Sequence, residues 1–414
     1  MKKLICGLIC LSSLVCASFS KNFFSKRFFE LQLSVPVDFS NNVFSLNDIL
    51  KKEVVLDLGK IAEDPLLNNG LNLVMQTQPQ YGINLNIAAV NVGFKVGVDI
   101  YEKMNVSKDL FTLLGKGNEI GEEIDIDFKN YTDIFITSSL NVGINFGKFS
   151  VSVKPTLFVP AVSVVGSVAD VSFINTEDGS INVKISSDLS LFSNFQLNNL
   201  NEMDIQRIYS GIGFDFGGSA SIPLGRKLTV SADARIPIVP GSYSYRTPMT
   251  FETGISANIS QSISDTTGES EMITQTGDDL DNISNMFSDL QSYELEEKKY
   301  VNRPLKAKAY ATYTPTLGLV EFCGGAGFGI YHPFNDDAFF YPEYYLSAGI
   351  NCFDFFKAKL STEYTDQIFK HQAAVDVNVR LVEIECGVSF QSTDFLKSMN
   401  VTGIGAYVVT SIGF

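Results

Sequence analysis

The feature that most limits what this chain can become is a two-residue period that recurs along nearly its whole length and runs out to its last residue. Between residues 29 and 39, Phe29, Leu31, Leu33, Val35, Val37 and Phe39 are apolar, while Glu30, Gln32, Ser34 and Asp38 lie between them. Alternation of this kind gives a β-strand one greasy face and one polar face. The pattern returns at residues 90–100, 134–146, 149–159, 212–222, 228–238, 305–313, 322–330, 344–352, 356–364, 373–381 and 382–390. Segments of about ten residues are what a tilted strand needs to cross a bilayer. No segment beyond the N-terminal leader offers the roughly 18 consecutive apolar residues of a membrane helix, so a helical membrane protein is excluded.

A water-soluble sandwich also alternates, and the connections separate the two cases. Short ones, at 88–89, 147–148, 223–227, 315–318, 353–355 and 381–382, take turns with longer ones at 102–133, 194–207, 240–303, 332–341, 365–371 and 391–400. A wall with two unlike ends is the mark of an outer-membrane barrel, short turns at one end and long loops at the other. The expected fold class is therefore all-β, a transmembrane antiparallel β-barrel of about 14 strands. The range is 14 to 16, because residues 164–175 and 181–191 form either a wall pair or a hairpin above the membrane.

At the N-terminus Met1-Lys2-Lys3 precedes an apolar run from Leu4 to Val15 and then small residues, the three-part pattern of a secretory leader over residues 1–20. The barrel then occupies 21–414 and the expected location is the cell outer membrane. Removing the leader leaves Cys323, Cys352 and Cys386, an odd number at spacings that match no zinc pattern, each at an apolar strand position. A formal charge of −15 leaves no basic surplus for phosphates, so nucleic acid is not an expected partner. His332 and His371, both in expected loops, and the absence of a Gly-x-Ser-x-Gly elbow argue against an enzyme; no catalytic residue, metal site or cofactor is assigned.

Three segments are not wall. Residues 43–80 place Leu46, Ile49 and Leu50 at helical spacing, followed by an apolar stretch from Val54 to Ala62, and are expected to form a short helical plug or outer-loop insertion. Residues 107–115 read as a helix capped by Ser107 and closed by Gly115, with Phe111 and Leu114 in need of an apolar place. Residues 257–302 carry ten acids from Asp265 to Glu297 with no base between them, a long acidic extracellular loop. Aromatics crowd the strand ends, as the interfacial girdle of a barrel requires. Among them Phe334, Phe339 and Phe340 are candidates for a gate that captures an apolar ligand from outside.

The last strand is the most specific signal. Ile404, Ala406, Val408, Thr410 and Ile412 alternate with Gly403, Gly405, Tyr407, Val409, Ser411 and Gly413, and the chain stops on Phe414. This resembles the C-terminal strand that the barrel-assembly machinery reads, with Val408, Ile412 and Phe414 as the recognition positions. Together with the leader, the first strand, residues 54–62 and the segment Asp109-Leu110-Phe111 to Gly117-Asn118, the chain resembles the FadL-type outer-membrane transporters of long-chain fatty acids, and a FadL-like family of spirochaetes and Bacteroidetes most of all. The resemblance implies a 14-stranded barrel whose partners are outer-membrane lipid, the assembly machinery and a hydrophobic small-molecule ligand. In those transporters the plug precedes the first strand, whereas here the helical segment follows Phe39. The alternatives are a structural or adhesin-type barrel acting through its acidic loop, and a general porin.

Overall fold

The computed structural model describes residues 27–45, 57–146, 149–196, 205–258, 291–315, 319–331, 333–334 and 338–414. The leader, residues 46–56, His332 and residues 259–290 of the acidic segment lie outside the described residues.

Period-two sequence becomes strand almost throughout. In chain order the strands are β1 (Phe29–Asn41), β2 (Leu71–Thr77), β3 (Gln80–Ile87), β4 (Val90–Val106), β5 (Glu123–Asn145), β6 (Ser150–Asn175), β7 (Ser180–Ser193), β8 (Gly213–Leu224) and β9 (Leu228–Val239). They continue as β10 (Gly241–Asn258), β11 (Tyr293–Val301), β12 (Leu305–Tyr313), β13 (Val320–Tyr331), β14 (Phe339–Cys352), β15 (Phe356–Thr365), β16 (Ile368–Asn378), β17 (Val382–Ser392) and β18 (Gly403–Gly413). All 18 belong to one sheet. β1 pairs with β18 from Glu30↔Gly413 to Ser40↔Gly403, so the sheet closes on itself and no edge is left along the wall.

Four wall strands are interrupted, which reduces the closed antiparallel barrel to 14 strands. β2 and β3 both pair with β1 and β4, one above the other. β6 pairs with β8 along its first half and with β7 along its second. β9 and β10 face that line, and β11 and β12 face them in turn. Residues 164–175 and 181–191 are thus the upper halves of two wall strands rather than a detached hairpin. Three of the interruptions carry a proline, Pro79, Pro240 and Pro304, and Pro160 sits opposite a register shift between β5 and β6. Proline has no N–H for the ladder, so it ends or bulges a strand where it falls.

The two faces of the wall differ as the alternation requires. On β1, Leu33, Val35, Val37 and Phe39 point outward with 50%, 40%, 47% and 42% of their surface exposed, and most wall strands repeat the row. Soluble proteins rarely carry apolar patches beyond a few hundred Å². A continuous apolar belt is stable only against lipid. No helix among the described residues is long and apolar enough to cross a membrane.

Turns at one end are short, and Phe353 and Asp354 adopt left-handed φ values of 57° and 60° in one of them. At the other end two connections are shorter than expected. Gly241–Asn258 and Tyr293–Val301, from the connection expected over 240–303, are strand, so Glu294, Glu296 and Glu297 of the expected acidic loop lie in the wall. The connection expected over 365–371 is a two-residue turn, Asp366-Gln367, also left-handed. His371 consequently lies in β16, its ring 3.1 Å from Thr362 and 2.8 Å from Ser398, not in a solvated loop.

The insertion after β1 is shorter than expected, since Leu71–Thr77 is already wall. Helix Leu58–Ala62 is capped by Asp57, whose carboxylate accepts from the Lys60 N–H at 3.0 Å. Helix Lys108–Lys116 runs one residue past Gly115 and ends at Gly117, whose φ of 85° suits only glycine comfortably. Ala62, Leu67 and Phe111 are buried together with Leu71 and Val106, against Leu73, Met104 and Phe128. These strand residues occupy the outward phase, as the pairs Leu71↔Val106, Leu73↔Met104 and Val106↔Phe128 establish. These two helices therefore cover the outside of the rim, and Phe111 finds its apolar place there. Leu114 stays exposed.

Candidate functional site

The inward phase of the wall is polar and charged, and it converges on one level where opposite walls touch. Counting round the barrel, β4 is the third wall strand and β13 the ninth of 14. Yet the ring of Tyr101 on β4 lies 5.7 Å from that of Tyr331 on β13. Tyr331 in turn contacts Tyr341 on β14 at 4.9 Å, and Tyr101 contacts Tyr131 on β5 at 6.2 Å. Four phenols thus bridge the lumen.

Cross-lumen ion pairs reinforce the contact. Arg303, in the break between β11 and β12, pairs with Asp99 on β4 and with Asp215 on β8, the latter at 2.7 Å. Both carboxylates and the guanidinium are largely buried, so the pairs are well shielded from water. Lys306 pairs with Asp366 at 2.8 Å and with Glu343 at 3.3 Å. Tyr331 and Tyr341 donate their hydroxyls to Asp366 at 3.0 and 2.7 Å. Burial works against the Asp366 carboxylate, but the Lys306 ammonium and the two phenols outweigh it and hold the carboxyl below the usual aspartate range.

Local sequence explains why these groups meet. Pro304 interrupts the strand, which frees its carbonyl to accept from Arg235 Nε and Nη2 at 3.1 and 2.9 Å and leaves the Arg303 side chain in the lumen. On β13 the inward positions 325, 327 and 329 are all glycine. The Tyr341 ring covers Gly329, its direct cross-strand partner, where any Cβ would overlap it.

The constriction encloses a cavity of only about 70 Å³, lined by Tyr101, Tyr131, Phe135, Arg303, Tyr331 and Asp366 among others. It separates two vestibules. Toward the loop end a cavity of about 550 Å³ shares Tyr101 and Asp366 with it. Toward the turn end a cavity of about 630 Å³ shares Arg235, Arg303 and Lys306. Along β4 the order is plain: Lys95 and Gly97 line the lower cavity, Asp99 and Tyr101 the constriction, Lys103 and Asn105 the upper one.

None of the residues singled out from the sequence lies at this constriction. Phe334 sits at the loop-end rim, 76% exposed with a φ of 76°. Phe339 opens β14 at that rim, and Phe340 stacks on Phe328 at 5.7 Å on the lipid-facing side. Val408, Ile412 and Phe414 are exposed on the outward face, and the Phe414 carbonyl accepts from the N–H groups of Phe28 and Phe29. The constriction was reachable only through charges in the inward phase of otherwise ordinary strands, Asp99 and Asp215, and through prolines inside alternating runs.

Neither a protein-family model nor a curated protein sequence matches the chain. Among solved structures it is similar to the P. putida toluene transporter TodX, at 8% identity over 95% of this chain and 92% of that one, with a TM-score of 0.48. A Pseudomonas aeruginosa FadL homologue is similar at 8% identity, 95% and 92% coverage and a TM-score of 0.47. The Ralstonia pickettii toluene transporter TbuX is similar at 7% identity, 94% and 90% coverage and a TM-score of 0.44.

Proposed function

We propose that the barrel sits in the outer membrane as a gated transporter for hydrophobic small molecules, with long-chain fatty acids as the substrate class. One observation carries this reading: the Tyr101–Tyr331 contact joins walls six strands apart, with a vestibule on either side. A general porin needs an aqueous channel through its lumen. A pinch faced with phenol rings instead offers flat apolar surfaces to a ligand that displaces them. Phe334 and Phe339, at the rim of the loop end, supply first apolar contacts for a molecule arriving from outside, and Val408, Ile412 and Phe414 serve recognition by the assembly machinery.

The test is uptake of labelled oleate by liposomes containing the purified protein. Uptake faster than in empty liposomes, slowed in a Phe334→Ser/Phe339→Ser variant, is the expected result. Uptake no faster than the lipid background removes the proposal, and a steady large ion conductance in planar bilayers would replace it with a porin.

A further inference from the structure

The turn-end vestibule inverts the charge of the chain. The full sequence has 31 Lys and Arg against 46 Asp and Glu. The cavity of about 630 Å³ is lined by Lys95, Lys154, Arg235, Arg303, Lys306 and Lys308 against a single carboxylate, Asp233.

Three of these cations are already matched. Arg303 holds Asp99 and Asp215, Lys306 holds Asp366 and Glu343, and Lys308 lies 3.9 Å from Glu343. The other three are not. Lys95 donates to the neutral Gln32 amide oxygen at 3.0 Å, and Arg235 donates to the Pro304 carbonyl. Lys154 makes no ion pair among the described residues. Neutral groups line the same cavity, Asn84, Asn141, Ser152 and Ser219, with N–H and O–H donors.

Like charges held around one hollow repel each other, and low-dielectric walls focus their field into the hollow. Asp99, Asp215 and Asp366 offset part of that repulsion at Arg235, and Asp99 part of it at Lys154, but among the described residues none of them is in ion-pair contact with Lys95, Lys154 or Arg235. A carboxylate or phosphate in the hollow would make that contact, through charge-assisted hydrogen bonds. We propose that the turn-end vestibule is a binding site for small oxyanions, seated between Lys95, Lys154 and Arg235. It rests on the closed barrel alone, not on the fatty-acid reading, and the two are read by different measurements.

The test is equilibrium dialysis of the full-length protein in detergent micelles against labelled inorganic phosphate. Saturable binding is expected, weakened about tenfold or more in Lys95→Gln/Lys154→Gln, the scale of a lost charge-assisted bond. Lys184→Gln, an exposed lysine paired with Glu252 away from the cavity, leaves it unchanged. Should the double variant not fold, Lys154→Met alone serves. Competition identifies the source of the anion: octanoate displacing phosphate far better than acetate assigns the head of an amphiphile, and equal displacement assigns a free solute. Binding that does not saturate, or that is equal in the wild type and the lysine variants, overturns the site. Oleate uptake by the same preparation fails or succeeds independently of either result.

Discussion

The constriction and the vestibule beneath it are built from the same residue types and use them in opposite ways. At the constriction Arg303 and Lys306 have carboxylate partners, and the Arg303–Asp99 pair ties wall strands five apart. In the vestibule Lys95, Lys154 and Arg235 line one cavity without a carboxylate in ion-pair contact. Matched charges brace the barrel, and unmatched ones are left for a ligand. The comparison can be broken at several points.

The largest effect is expected from Arg303→Met, which strands Asp215 and Asp99 without their shared partner. Removing one member of a buried pair costs about 3–5 kcal/mol, so the unfolding midpoint in detergent should fall sharply. An unchanged midpoint would mean that the pairs do not brace the wall. Gly329→Ala comes next: its Cβ overlaps the Tyr341 ring, and overpacking of this kind costs about 1–3 kcal/mol. Because Tyr341 must move away from Asp366, the variant should also conduct ions in planar bilayers where the wild type does not.

A pH series sharpens the same contrast. The Asp366 carboxyl is held below its ordinary range, so its contribution to stability is complete above the unfolded value of about 3.9 and lost as pH falls through the lower folded value. The difference in unfolding midpoint between wild type and Asp366→Asn should hold steady at neutral pH and vanish only in acid below the usual aspartate range. A difference that disappears above pH ~5 would contradict the assignment. The smallest effect belongs to Lys95→Gln/Lys154→Gln, which removes no matched pair and should lower the unfolding free energy by less than about 0.5 kcal/mol, or raise it.

Much of the fold was legible from residues 29–39 alone, since a strand with one greasy and one polar face needs two solvents. The strand number was harder to read, because Pro79, Pro240 and Pro304 cut wall strands into halves that resemble separate strands or loops. That the described helix Leu58–Ala62 of the insertion after Phe39 lies outside the rim was not legible, because its apolar residues fit a lumen plug or an outer cover equally well by spacing.

The sequence by itself determined the class of this protein: period two is a local property, and each strand's two faces follow from its own side chains. Only the tertiary structure decided which residues meet inside. Arg303 pairs with Asp215 and Asp99 from 88 and 204 residues away, and Asp366 reaches Lys306 from a turn 60 residues on. Those partnerships depend on how many strands close the ring and in what register. Both are set by hydrogen bonds around the whole wall and by no segment of it.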